Sequence, residues 1–321
     1  MQQILDDFNR ALRAKRYPAT PEGLYEPIQY VLSLGGKRIR PVLMLLVYSL
    51  YRPHYHDIMA AALGLETYHN YTLLHDDLMD RADLRRGRPT VHRRWNPNTA
   101  ILSGDEMLVL ACQDILSLPN PNTLPAMQLF LKTAIEVGEG QQMDMNFETR
   151  NDVTLAEYTE MIRLKTSVLL ACAAAMGALL AGAGEDDQRT LYSFGEQLGL
   201  AFQLQDDLLD AYGDESVFGK KTGGDIVQNK KTWLLINAFL KASPTDRAEL
   251  EGWIGNRGAP EPEKIKAVIN IYNRLHVPQA CMQQIDLYLK EATDTLGRLS
   301  LPDSRRSKLQ LFAQSLCGRT S

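Results

Sequence analysis

The stretch YHNYTLLHDDLMDRADLRRGRPTVH, Tyr68 to His92, decides the fold. Its first half carries apolar residues at spacings of three and four, the periodicity of one helix face. The helical spacing runs into an Asp-Asp-x-x-Asp motif in which Asp76 and Asp80, four apart, project from one face with Asp77 beside them. Arg86 to Pro89 then break the pattern.

Outward from this segment the same texture recurs. Runs rich in Ala, Leu, Met, Glu and Gln dominate, and alternating Val/Ile/Thr runs are nearly absent. The expected architecture is all-α, long helices joined by short loops. Breaks are expected at Gly35-Gly36, Arg86 to Pro89, Ser117 to Pro125, from Gly182, at Tyr212 to Asp225 and from Gly255. The most apolar run, Leu169 to Ala183, reads as a central core helix. Residues 1–321 show neither a repeat nor a composition break, which points to a single domain.

Composition sets further bounds. With 45% hydrophobic and 23% charged residues the chain is an ordinary globular protein, and a net charge of -4 with scattered basic groups argues against nucleic-acid binding. The four cysteines show no Cys-x-x-Cys spacing, so neither zinc nor a disulfide framework is indicated and a reduced, cytoplasmic setting is expected. The amino terminus lacks the apolar core of a signal peptide, and no unbroken apolar run suggests a membrane span.

The chemistry lies in the acids. Two carboxylates about 5 Å apart repel by roughly 3 kcal/mol at an effective dielectric of 20, which a cation relieves. Oxygen ligands completed by water and phosphate suit magnesium. A second Asp-Asp-x-x-Asp at Asp206, Asp207 and Asp210 repeats the spacing on another helix. One polyanion held through metal by both motifs is the natural reading. Cationic groups able to complete such an anion stand at Gly35 to Pro41, Arg85 to Thr90, Lys165-Thr166, Gly219 to Asp225 and Asn229 to Lys231.

Taken together and in this order, the motifs from Tyr25 to Leu235 resemble the trans-prenyltransferases, the polyprenyl diphosphate synthase family. The resemblance implies the isoprenoid synthase fold, a bundle of long helices around a central cavity. It implies condensation of isopentenyl diphosphate with an allylic diphosphate (dimethylallyl, geranyl or farnesyl) and three magnesium ions in the substrate complex. Carried over, Asp76 and Asp80 hold two ions and Asp206, with Asp210, holds the third, while Asp77 and Asp207 support them. Arg85, Lys165, Thr166, Gln203, Lys220 and Lys230 match positions around the allylic diphosphate. Lys37, Arg40, His69 and Arg86 match the isopentenyl diphosphate pocket, with Gly36 at a close backbone approach. His75 reads as a packing or supporting residue. The loop Tyr212 to Asp225 is expected to close over the substrates, and a homodimer is expected from the family.

Product length should depend on the helix before Asp76. Tyr68 and Thr72 share its four-residue row, Tyr71 lies beside Thr72, and Tyr71 and Tyr68 sit roughly 7 and 12 Å below the aspartate at 1.5 Å per residue. By the family's rule, an aromatic at Tyr71 without one at Thr72 favours geranylgeranyl over farnesyl diphosphate. A terpene cyclase is disfavoured by the second acid motif and by Gly35 to Arg40, and a non-catalytic partner subunit by retention of the acids and lysines. Residues 241–321 carry helical patterning and no chemical motif, and only Arg319 could serve as the basic tail seen in relatives.

Overall fold

A computed structural model describes residues 1–213, 222–256 and 258–317. It is 79% helical, and among the described residues the only sheet is a two-stranded hairpin, in keeping with the all-α expectation. In chain order the elements are α1 (Gln2–Ala14), α2 (Glu22–Ser33), α3 (Ile39–Tyr51), α4 (Met59–Met79), β1 (Leu84–Arg85), β2 (Arg88–Pro89), α5 (Val91–Arg94), α6 (Pro97–Leu116), α7 (Thr123–Phe147), α8 (Leu155–Ile162), a π-helical turn (Arg163–Ser167), α9 (Val168–Leu180) and α10 (Glu185–Tyr212). Then follow α11 (Gly224–Gln228), α12 (Trp233–Lys241), α13 (Pro244–Gly255), α14 (Glu261–Arg274), α15 (Val277–Thr295) and α16 (Asp303–Cys317). The expected breaks at Gly35-Gly36, at Arg86 to Pro89 and from Gly182 fall between these helices, the one from Ser117 stops earlier than expected because α7 begins at Thr123, and most of the one at Tyr212 to Asp225 lies outside the described residues. The hairpin is an addition: Arg86 and Gly87 both have positive φ (53° and 72°), as a two-residue turn twisted to match its strands requires.

Local sequence explains the helix boundaries. Asn96 accepts from the Thr99 N–H ahead of Pro97, Thr154 and Glu157 form a reciprocal capping box, and Ser243 caps the helix opened by Pro244.

Contacts gather into two compact units. The first comprises Met1–Lys132, Cys172–Tyr192 and Arg298–Phe312. Its core is built on α3, where Val42 to Tyr48 are all buried, and on the close pairing of α4 with α6. Two glycines permit that approach. A Cβ at Gly64 would stand 2.7 Å from the Ala111 carbonyl oxygen, and one at Gly104 would lie 2.1 Å from Nε2 of His75. His75 donates from Nε2 to the Ile101 carbonyl at 3.2 Å and so packs α4 onto α6. Asp187, buried at the start of α10, accepts from the Tyr51 hydroxyl and the Ser300 N–H, both at 2.9 Å, tying separate segments of this unit together.

The second unit comprises Thr133–Ala171, Ser193–Gly297 and Ala313–Ser321. Its buried side chains include Phe194, Leu198, Leu204, Trp233, Val268 and Ile271. The helical run Leu155–Leu180 is long and apolar enough to cross a bilayer, but 78% of its apolar window is buried inside the protein. Burial in the protein accounts for its hydropathy, as expected for the core helix within Leu169 to Ala183.

Candidate active site

The first acid motif occupies the last turn of α4, with Asp80 as the C-cap and its N–H bonded to the Asp76 carbonyl at 2.8 Å. Helix carbonyls also point toward this end, so carboxylates here sit in an unfavourable field worth about 0.3–1 kcal/mol each. The three acids are treated differently. Asp80 is exposed and Asp76 retains 21% of its side-chain surface, whereas Asp77 is buried and gripped by Arg85. Arg85 donates from Nε to both oxygens at 3.0 and 3.1 Å and from Nη2 at 2.6 Å, and reaches Asp76 only at 3.9 Å. Burial raises the Asp77 carboxyl above its usual range, and Arg85 opposes the shift. Asp77 therefore orients Arg85 from β1, while Asp76 and Asp80 keep the more accessible carboxylates.

The expected isopentenyl diphosphate residues converge in the same unit. Gly36 has φ +132°, and a Cβ there would meet Nη2 of Arg86 at 2.8 Å. Only glycine leaves room for this guanidinium, which also donates to the Gly35 carbonyl. Arg40, buried, lies 3.2 Å from Nε2 of His69, while Lys37 is exposed. Burial, then the charges of Arg40, Arg86, Arg85 and Arg38, hold His69 well below the usual imidazole range. Neutral His69 accordingly accepts from Arg40 at Nε2 and carries its proton on Nδ1. Of these guanidiniums, those of Arg38 and Arg85 are paired with Glu66 and Asp77.

This arrangement has a measurable consequence. Because folded His69 resists protonation while the unfolded chain accepts a proton below about pH 6.5, its contribution to stability is present above that pH and lost on acidification. The slope is about 1.4 kcal/mol per pH unit at most. Urea melts at pH 7.5, 6.5 and 5.5 are expected to show a shallower acid loss for His69→Gln than for the native chain.

Along α4 the aromatic residues stack toward the core. Tyr71 lies 4.8 Å from the His75 ring and 5.5 Å from Tyr68, and Tyr68 meets Phe130 of α7 edge-on at 5.0 Å and 83°. Tyr68 and Phe130 are buried and Tyr71 partly so. Thr72 turns its hydroxyl to the His69 carbonyl at 2.8 Å.

The second acid motif repeats the plan of the first. It lies at the C-terminal end of α10, with Asp206 exposed, Asp210 half-buried and Asp207 buried. Asp207 accepts from the Tyr158 hydroxyl, from Gln203 Nε2 at 3.0 Å and from the Trp233 N–H at 3.4 Å. Burial, then Asp225, push its carboxyl up to about 7. Asp210 accepts from the Asp225 N–H at 2.9 Å and, through its carbonyl, from the Gly223 N–H at 2.6 Å, so it anchors the end of the lysine loop. A cleft in this unit is lined by Asp207, Asp210, Asp225, Asn229, Lys230 and Tyr272 among others.

Lys165 and Thr166 stand on the π-helical turn, a distortion frequent at functional sites. Lys165 is paired with Asp144 of α7 at 2.6 Å, and Thr166 donates to Gln203 Oε1 at 2.9 Å. Lys220 and most of the loop expected to close over substrate lie outside the described residues, as does Arg319.

Among the described residues no three His, Cys, Asp or Glu side chains form a ready-made metal cage. Magnesium does not require one, since it keeps several waters and is held by one or two carboxylates plus substrate phosphates. The oxygen-only pairs Asp76/Asp80 and Asp206/Asp210, placed at helix C-termini with the middle aspartates already satisfied, fit that chemistry.

A family model described as polyprenyl synthetase matches residues 21–272. The chain belongs to the polyprenyl synthetase family. It is a prenyltransferase, and the family uses magnesium. This synthetase is 42% identical to geranylgeranyl diphosphate synthase of Methanosarcina mazei over 70% of each chain. It is 38% identical to the geranylfarnesyl diphosphate synthase of Natronomonas pharaonis, over 72% of this chain and 73% of that one. A crystal structure of geranylgeranyl pyrophosphate synthase superposes with a TM-score of 0.95 at 42% identity, covering 100% of this chain and 99% of the other.

Three features of the synthetase's site are invisible to motif spacing. Arg38, buried with φ 51°, donates to Glu66 at 2.6 Å and to the Leu32 carbonyl at 2.8 Å, and Asn70 donates to Glu66 at 3.0 Å. Glu66 and Asn70, four apart on an otherwise apolar helix face, were the available signal. Asp144 and Tyr158 gave none, because their partners are distant in sequence.

Proposed function

We propose that this synthetase condenses isopentenyl diphosphate with an allylic diphosphate and releases geranylgeranyl diphosphate. The observation that carries the proposal is the shared plan of the two acid motifs: in each, the middle aspartate is buried and clamped while its neighbours are more exposed. For the allylic diphosphate, Asp76 and Asp80 would hold two of the three magnesium ions expected in the substrate complex and Asp206 with Asp210 the third. Arg85, Lys165, Thr166, Gln203, Lys220 and Lys230 complete its coordination. Lys37, Arg40, His69, Arg86 and the backbone at Gly36 bind isopentenyl diphosphate without metal.

Magnesium supplies electrostatic stabilisation of the departing diphosphate. The cationic side chains share that work where negative charge develops as the allylic carbon–oxygen bond breaks. The isopentenyl double bond then attacks the carbocation, and a proton passes to the released diphosphate, so no dedicated side-chain base is needed. Lys165 must exchange Asp144 for a phosphate oxygen on the way.

The whole chain acts as one isoprenoid synthase domain, in the cytoplasm, as a homodimer. Supporting the dimer, α6 exposes Leu102, Val109 and Leu116 (61%, 61% and 52%) at intervals of seven, an apolar stripe uncommon on a monomer. Sedimentation velocity is expected to give a dimer for the native chain and a monomer for Leu102→Glu/Val109→Glu.

The activity itself is tested with purified protein, magnesium, farnesyl diphosphate and labelled isopentenyl diphosphate, resolving products by chain length. A twenty-carbon product is expected, and no turnover would end the proposal.

A further inference from the structure

The clamps on the two middle aspartates differ in kind. Asp77 is held by a cation, Arg85, whereas Asp207 is held by neutral donors. Foremost among them is the hydroxyl of Tyr158, a side chain only 2% exposed against a carboxylate at 5%. Gln203 supplies a second donor and is itself oriented by Thr166, whose hydroxyl donates to Oε1 at 2.9 Å while Nε2 donates to Asp207 at 3.0 Å. The Trp233 N–H, at the start of α12, closes the set. A buried carboxylate deprived of its donors is strongly disfavoured, so each of these groups fixes where Asp207 points.

Helix geometry turns that constraint into a function. Successive residues are about 100° apart, so Asp206 and Asp210 lie about 40° from each other, with Asp207 about 60° from Asp210 and about 100° from Asp206. With Asp207 held inward, the other two form a pair on one face. Released from its clamp, Asp207 would swing toward whatever cation that pair holds and disturb its ligand geometry, which for magnesium is exacting.

We propose that Tyr158 is a positioning residue for the second acid motif: its hydroxyl holds Asp207 out of the metal-binding face and thereby sets the magnesium affinity of Asp206 and Asp210. The inference rests on the proposed role of those two aspartates as magnesium ligands. Tyr158 touches no substrate in this scheme, and the isopentenyl diphosphate pocket of Arg40, His69 and Arg86 is built on other elements.

The test uses the full chain carrying Tyr158→Phe, which removes one oxygen and keeps the ring. Magnesium is titrated in the presence of inorganic diphosphate, following the thermal midpoint, and in parallel the steady-state rate is measured against magnesium. About tenfold more magnesium is expected for half the effect in both titrations, with kcat recovering at saturating magnesium and KM for isopentenyl diphosphate unchanged. A magnesium midpoint within twofold of the native value, even with a lowered melting temperature, would mean that the hydroxyl is merely structural and would overturn the proposal. A second variant guards the interpretation. In an Asp207→Asn background the neutral amide no longer depends on the phenol, so adding Tyr158→Phe is expected to move the midpoint less than twofold. A full tenfold shift there would show that the hydroxyl acts by another route and would also overturn it. If the native chain itself gave no response to magnesium and diphosphate, the metal assignment would fall. A native response with an unshifted Tyr158→Phe removes only the role of Tyr158.

Discussion

Asp76→Ala is expected to lower kcat about 10³-fold, the scale of losing one group that stabilises charge in the transition state. Asp206→Ala should behave alike, because each residue is the first aspartate of its motif, with a buried, clamped neighbour beside it. Raising magnesium should not restore either rate, since the missing ligand cannot be replaced by mass action alone. Stability should move the other way. Removing a carboxylate from the end of α4 relieves repulsion from its neighbours and from the helix carbonyls, worth about 0.3–1 kcal/mol, so the metal-free Asp76→Ala variant should melt slightly higher than the native chain. Initial rates across a magnesium series, with calorimetric melts in chelator, check both halves. A variant retaining a tenth of native activity would sink the assignment of Asp76 to metal.

Tyr71→Ala is expected to lengthen the main product by at least one five-carbon unit. Tyr71 is the first tyrosine below Asp76 on α4, and it is only partly buried, so its removal opens space without dismantling the core. Beneath it Tyr68 is braced edge-on by Phe130, and both are buried. Truncating Tyr68 is therefore expected to lose about 3–5 kcal/mol of stability, the usual range for a large buried aromatic, and should be attempted only after Tyr71. Relatives of similar identity are named as geranylgeranyl and as geranylfarnesyl diphosphate synthases, which makes the question sharp. Extracted products separated by chain length decide it. An unchanged profile in Tyr71→Ala would refute the idea that this ring limits the tail.

Much of this is legible in the amino-acid sequence. The period of three and four gave helices because side chains at those spacings share a face whatever surrounds them. By the same local geometry Asp76 and Asp80, or Asp206 and Asp210, had to stand together, while it was the family resemblance that implied a close approach at Gly36. Less could be read of the hairpin at Leu84 to Pro89, whose strands are two residues each, too short for any periodicity to register.

What sequence alone determined, then, is the all-α class, the paired acid motifs and the basic groups that accompany them, all set by spacing along one helix or by composition. Which member of each acid triplet faces inward was decided only by tertiary structure. Asp77 is held by a guanidinium across a tight turn, Asp207 by a phenol 49 residues away, and Lys165 is paired to an aspartate 21 residues distant. The reason is physical: burial and hydrogen-bond satisfaction depend on what packs against a helix, and a helix's own sequence does not record its neighbours. The acid motifs suggest a metal site through their spacing, but packing sorts their carboxylates into those clamped inward and those more exposed to solvent.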